Sequence, residues 1–177
     1  MDRAKVTKLY WDEMLDTPIG PLALAATDEG LCSLSFSNQA DAEPKVKAWA
    51  SRYVGDYEWE HSPERLRHVF EQLEAYFTGD LTEFNVELDL RGTDFQMRVW
   101  QALRGIPYGC IASYKDIAIA VGSPKGVRAV GGANHNNPVA LIVPCHRVIG
   151  ANGAMVGFGG GLPIKESLLK LEGYLLI

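Results

Sequence analysis

Apolar and polar residues alternate loosely over residues 6–16, and TPIGPLALAATDEGLCSLSF carries two more apolar runs parted by Asp28–Gly30. A period of two, interrupted by turn residues at Thr17–Pro21 and Asp28–Gly30, predicts a β-meander. The stretch 37–62 is polar and shows no period, so it is assigned no element. At SPERLRHVFEQLEAYFTG the period becomes helical. Leu66, Val69, Phe70, Leu73 and Phe77 form one stripe, Ser62 is placed to cap it, Pro63 suits the first turn and Gly79 ends it. FNVELDL at 84–90 alternates again and predicts a strand.

Beyond Arg91-Gly92 the pattern changes. Thr93 to Gln96 has capping-box spacing, and Phe95, Val99, Trp100 and Leu103 then share a helical face. Pro107–Gly109 predicts a turn. Ser113 to Asp116 repeats the capping-box spacing and opens a short helix through Val121, closed by Gly122. Ser123 and Pro124 predict the immediate start of another helix, running to about His135. Two short helices across a tight turn have helix-turn-helix spacing. The last helix lies in LPIKESLLKLEG. Together these elements predict an α+β protein: a small N-terminal α/β domain, 1–91, followed by a mostly helical domain, 92–177.

The second helix of the pair, KGVRAVGGANHNN, is made almost wholly of small residues apart from Arg128 and its valines. Each glycine weakens a helix by about 1 kcal/mol relative to alanine. Close approach of the helix to another surface would offset that cost, and so would tight packing against the protein's own core.

Composition sets the frame for these elements. The chain has 177 residues, 47% hydrophobic, which suits one ordinary domain or two small ones and excludes wholesale disorder. No stretch nears eighteen consecutive apolar residues, so no membrane span is expected. The segment MDRAKVTKLYWDEM has no apolar core before a cleavage site, and Cys32, Cys110 and Cys145 are an odd, scattered set. Both point to a reducing interior, the cytoplasm or, in a eukaryote, the nucleus.

A net charge of −5 argues weakly against a nucleic-acid partner until it is divided along the chain. Residues 1–94 hold 9 Lys/Arg and 19 Asp/Glu, whereas 95–161 hold 6 Lys/Arg against Asp116 alone, with 12 of the 18 glycines. An acidic half is thus joined to a basic, glycine-rich segment, and it is the local charge that governs anion binding.

Cys145 follows a buried-looking run in VALIVPCHRVIG. Adjacent Cys and His do not converge easily on one metal ion, and no C-x-x-C pair completes a ligand set. A buried, inert cysteine is the common fate of this residue type. Here, however, His146 and Arg147 bring positive potential, and an imidazole can take the thiol proton to leave the reactive thiolate. Glu172 could orient that imidazole through its second nitrogen.

PCHRVIG, with ASYKDIA and GSPKGVRAVGGANHNNP upstream and GFGGGLPIKESLLKLEG downstream, resembles the O6-alkylguanine-DNA alkyltransferases. The likeness is strong over 93–173 and looser before it. It implies a ribonuclease-H-like sheet plus helix in the first domain and a helix-turn-helix in the second. It also implies a repair protein that flips O6-alkylguanine, or O4-alkylthymine, out of duplex DNA and moves the alkyl group irreversibly onto its own cysteine.

By this resemblance Cys145 is the acceptor, His146 the base acting through a water, and Glu172 the acid holding the histidine. Asn137 braces the thiolate and its backbone, and Tyr114 gives a proton to the departing guanine. Arg128 enters the base stack, with Ala129, Gly131, Gly132, Ser113 and Lys125 on the DNA side at the minor groove. Val148, Ala140, Phe158, Gly159 and Gly160 bound the substrate pocket. The chain departs from the family at GFGGG, where Gly159 replaces a common serine or alanine and Phe158 a common tyrosine. Ala140 stands where the human member has proline, which implies room for bulkier groups. Cys32, His61 and His68 do not match the human zinc ligands, so no metal and no cofactor are expected. The expected partner is double-stranded DNA, met as a monomer, with no membrane.

The physical demands agree with these roles. Displacing guanine from a saturated carbon needs an in-line thiolate and a proton for the leaving base. A flipped base costs a few kcal/mol of lost stacking, which an inserted side chain partly recovers. A non-catalytic module that recognises alkylated DNA is the alternative, but such relatives replace the acceptor cysteine, which this chain keeps. A Cys-His-Glu hydrolase would explain neither the small-residue helix nor Arg128.

Overall fold

The computed structural model describes residues 6–150, 152–155, 158 and 160–174. The chain divides into two compact units, Met1–Arg91 and Gly92–Ile177. Among the described residues no helix is long and apolar enough to cross a membrane.

In the first unit the meander forms as the alternation predicts: β1 (Thr7–Met14), β2 (Leu22–Ala26) and β3 (Leu31–Ser35) pair antiparallel in order. β2 is buried along its whole length, so its apolar run does not alternate. The polar stretch left unassigned holds a helix and a strand. α1 (Gln39–Tyr53) begins where the Asn38 side chain accepts from the Asp41 N–H, and β4 (Tyr57–His61) lies parallel to β1 at the sheet edge, giving the order β3-β2-β1-β4. Successive strand residues point to opposite faces. Leu9, Ala25 and Cys32 therefore pack with Val46 and Ala50 of α1. On the other face Tyr10 lies under Arg65 of α2 (Pro63–Phe77), 4.7 Å from guanidinium carbon to ring centre.

Two details of this unit differ from the pattern reading. In α2 the buried stripe is Leu66, Val69, Leu73 and Tyr76, with Phe70 and Phe77 only partly covered, and Ser62 makes no side-chain cap. Residues 84–90 are not a strand. They touch β3 by a single parallel bridge, Leu31 to Leu88. The Gln72 amide accepts from the Asn85 N–H at 2.8 Å and donates to its carbonyl at 2.9 Å, so a side chain satisfies the groups a ladder would use. The approach is close: a β-carbon on Gly30 would lie 2.7 Å from the Glu87 carbonyl oxygen.

The second unit starts with α3 (Asp94–Arg104), behind a complete Thr93–Gln96 capping box. Val99, Trp100 and Leu103 are buried, and Phe95 is partly exposed under Arg98. β5 (Ala112–Ser113) runs into α4 (Tyr114–Ala120), which has its own Ser113–Asp116 capping box. Gly122 ends the pair's first helix in the left-handed region, φ +77°. α5 (Val127–His135) starts three residues later than Pro124 predicts. Residues 123–126 form a turn closed by the Gly126 N–H on the Ser123 carbonyl at 2.8 Å, and no side chain caps the helix. α3, α4 and α5 pack on one another, and Trp100 Nε1 donates to the Ala133 carbonyl at 2.8 Å. A single 3-10 turn spans Cys145–Arg147, β6 (Val148–Ile149) follows, and α6 (Leu162–Leu171) is the last described element, with Glu172 at its C-cap.

Candidate active site

A two-residue parallel pairing assembles the site. β5 and β6 match Ala112 with Val148 and Ser113 with Ile149. The residue after β5 is Tyr114 and the residues before β6 are Cys145, His146 and Arg147, so the pairing sets the tyrosine beside the cysteine turn.

The chain enters that turn under constraint. Asn137 Nδ2 donates to the Val143 carbonyl at 2.8 Å, and its Oδ1 accepts from the Val139 N–H at 3.1 Å, tying residues 137–143 into a ring. Within it Leu141 is buried at φ +73°, the only described residue other than glycine in the left-handed region. Such a conformation is costly for a branched side chain and persists only where its surroundings impose it. Here it turns a backbone N–H toward the Cys145 sulfur.

Cys145 is 4% exposed. Burial pushes its thiol up, while the Asn137 side chain, the charge of Lys165 and the Leu141 backbone favour the thiolate. Lys165, on α6, is itself fully buried, and its Nζ donates to the Val148 carbonyl. Burial holds that ammonium below the ordinary lysine range, and the neighbouring thiol pulls the other way.

Behind the cysteine, His146 is fully buried, and its Nε2 lies 2.8 Å from Glu172 Oε2. Burial holds the imidazole below its usual range, with Glu172 opposing and Arg147 and Lys165 reinforcing. A neutral ring that donates Nε2–H to the carboxylate presents Nδ1 as an acceptor, and Nδ1 is buried without a partner among the described residues. Glu172 is fixed in turn by Arg147, whose Nε donates to Oε1 at 2.7 Å and Nη2 to Oε2 at 3.1 Å. Arg147 Nη1 also donates to the Ile106 carbonyl at 2.6 Å.

The positive potential expected from His146 and Arg147 is thus redistributed. Arg147 is committed to Glu172, His146 is neutral, and Lys165 supplies the cation beside the sulfur. One lysine inside an amphipathic helix carries no signal of its own, so the sequence alone does not single out Lys165.

Tyr114 is half-buried. Burial and the Cys145 charge push its phenol up, and a hydrogen bond from the Asn134 side chain opposes them. Ser113 serves as the α4 cap, its Oγ accepting the Asp116 N–H at 3.0 Å. Lys125, Arg128, Ala129 and Gly132 are exposed and Gly131 is half-exposed, all on α5 or the turn before it. A β-carbon at Gly131 or Gly132 would meet nothing within 4 Å. Packing among the described residues therefore does not account for these glycines. Val148 and Ala140 are buried near the cysteine turn, Phe158 and Gly160 are half-buried, and Gly159 lies outside the described residues. No group of three or more His, Cys, Asp or Glu that could hold a metal occurs among the described residues. Cys32 donates to the Ala25 carbonyl, and His61 pairs with Asp12.

A buried thiol with a histidine–carboxylate pair behind it, in a domain built on a helix-turn-helix, defines a nucleophilic-cysteine protein with a nucleic-acid-binding fold. Residues 94–174 match the DNA binding domain of 6-O-methylguanine DNA methyltransferase, and 9–90 match its ribonuclease-like domain. The chain belongs to the 6-O-methylguanine DNA methyltransferase family. It is 51% identical over 158 residues, 89% of each chain, to a methylated-DNA–protein-cysteine methyltransferase of Mycobacterium tuberculosis. A namesake from Methanosarcina acetivorans is 48% identical over 160 residues, 90% of this chain and 96% of that one. The crystal structure of Mycobacterium tuberculosis OGT in complex with DNA matches with a TM-score of 0.77 at 48% identity, covering 93% of this chain and 92% of that one.

Proposed function

We propose that the chain repairs O6-alkylguanine in double-stranded DNA by moving the alkyl group onto Cys145, one group per molecule. The observation that carries this reading is the pairing of a buried thiol with an imidazole whose Nδ1 is an unpartnered acceptor. His146 takes the thiol proton through a water while Glu172, held by Arg147, keeps Nε2–H in place. The thiolate rests against Asn137 and the Leu141 N–H and attacks the alkyl carbon. The carbon–oxygen bond breaks toward guanine, and Tyr114 gives the leaving base its proton. The thioether formed is a poor leaving group, so nothing regenerates the thiol. O4-alkylthymine presents the same reacting bond.

The glycines of α5 support a minor-groove approach, because β-carbons there would meet none of the described residues. Arg128, exposed on that helix, is suited to fill the gap in the stack. Val148, Ala140, Phe158, Gly159 and Gly160 bound the pocket, and the protein acts as a monomer. A thiol that must stay reduced until used suits the cytoplasm, or the nucleus of a eukaryotic source.

Incubation with a duplex carrying O6-methylguanine is expected to add one methyl group to the intact protein, read by mass spectrometry, and Cys145→Ala to abolish the gain. Repaired DNA beside unmodified protein, or continued turnover with excess substrate, would overturn the reading.

A further inference from the structure

We propose that Asn134 is a positioning residue for the proton transfer from Tyr114, holding the phenol and stabilising the phenolate left behind. This rests on the reading of Tyr114 as proton donor. Asn134 sits in the last turn of α5 and is 5% exposed, an unusual place for an amide unless it has a partner. Its side chain hydrogen-bonds Tyr114 across the pair of helices, whereas its Oδ1 is buried without a partner among the described residues. The bond to the tyrosine is therefore made by the Nδ2–H₂ end, with the phenol oxygen accepting. An acceptor role for that oxygen is the one a proton donor requires, since the O–H itself is the group given up to the base.

The helix is fixed where this bond is made. Trp100 Nε1 holds the Ala133 carbonyl at 2.8 Å, and the Asn137 N–H reaches the Asn134 carbonyl at 3.3 Å. Asn134 thus shares a turn of chain with the residue that braces the cysteine.

The chemistry explains why an amide donor belongs there. As the sulfur–carbon bond forms, the carbon–O6 electron pair moves onto guanine, a ring nitrogen takes the Tyr114 proton, and a phenolate remains beside a site that has just held a thiolate. Burial and the Cys145 charge both disfavour that phenolate. A hydrogen bond to an ion is about twice as strong as one to a neutral group, so the Asn134 bond tightens as the proton leaves and is strongest after transfer. Water reprotonates the phenolate when guanine departs.

The test is a double-mutant cycle on the single-turnover rate with free O6-benzylguanine. Asn134→Leu is expected to slow alkylation about 10-fold, the scale of losing one hydrogen bond to an ion. Tyr114→Phe should slow it more, and the double variant should match Tyr114→Phe alone. The alkaline fall in rate, where the phenol ionises, should move to higher pH in Asn134→Leu, a displacement that a packing defect would not cause. Asn134→Ala provides a second variant that must show the same non-additivity. Losses that multiply, or a full rate in both Asn134 variants beside a slow Tyr114→Phe, would overturn the role of Asn134 alone. A full rate in Tyr114→Phe would overturn the donor reading and this inference together.

Discussion

Three neighbours oppose the burial of Cys145, namely the Asn137 amide, the Leu141 N–H and the Lys165 ammonium, and the two side chains among them can be removed separately. Lys165→Met deletes the charge and keeps the length of the side chain. It is expected to slow alkylation by free O6-benzylguanine about tenfold at neutral pH and to move the rising limb of the rate to higher pH, a tenfold change in thiolate being worth about 1.4 kcal/mol. An unchanged profile would remove Lys165 from the electrostatics of the sulfur. His146 titrates with the opposite consequence for stability. Its folded value lies below the usual one, so between the two values the unfolded chain binds more protons and stability rises with pH. That contribution is complete above about pH 6.5, the unfolded value, and is lost as pH falls toward the folded one. Urea midpoints measured downward from neutral pH should therefore decline, with a smaller slope in His146→Gln. At this scale the sequence displayed the reacting groups by motif but not the groups that tune them. Lys165 and Asn134 act through burial and partners that only the folded chain supplies.

Among the elements, α5 carries a contradiction that a substitution can expose. Glycine at 131 weakens the helix, yet a β-carbon there would meet open space. Gly131→Ala is thus expected to raise stability by up to about 1 kcal/mol, read by thermal melting. The same variant should lose repair of duplex DNA far more than reaction with free O6-benzylguanine. Equal losses on both substrates would mean that the helix does not approach DNA. Helices with strong stripes, such as α2 and α3, were legible from period alone. α1 was not, although Asn38 caps it and Ala42, Val46 and Ala50 recur at every fourth position. Its buried face consists of Gln39, Ala42, Val46 and Ala50, and Pro44 lies inside the helix, so the contrast between its faces is weak. Residues 84–90 alternate as a strand would, but Gln72 occupies the backbone groups of Asn85, and period cannot reveal a competing side chain. The late start of α5 has a similar cause, since Ser123-Pro124 can open a turn as readily as a helix.

For the whole molecule, the separation of charge along the chain limits how strongly salt can act. Of the 6 Lys/Arg between residues 95 and 161, Arg147 is bound to Glu172, which leaves five for phosphates. Each phosphate neutralised contributes about −0.9 to the slope of log affinity against log salt, so the slope for duplex DNA should be no steeper than about −4.5. A steeper slope in a salt titration would require cations from outside residues 95–161. The burial of Cys145 has a further consequence, in time. A group that can be used once is worth most if it arrives unused, and the cell contains electrophiles and oxidants that attack any accessible thiolate. Cys110 is exposed to them and Cys32 is pushed up to about 12, whereas Cys145 is covered yet surrounded by groups that can release its proton. The fold keeps its reagent in storage, and the shelf life of the protein is set by how rarely that cover opens before a damaged base arrives.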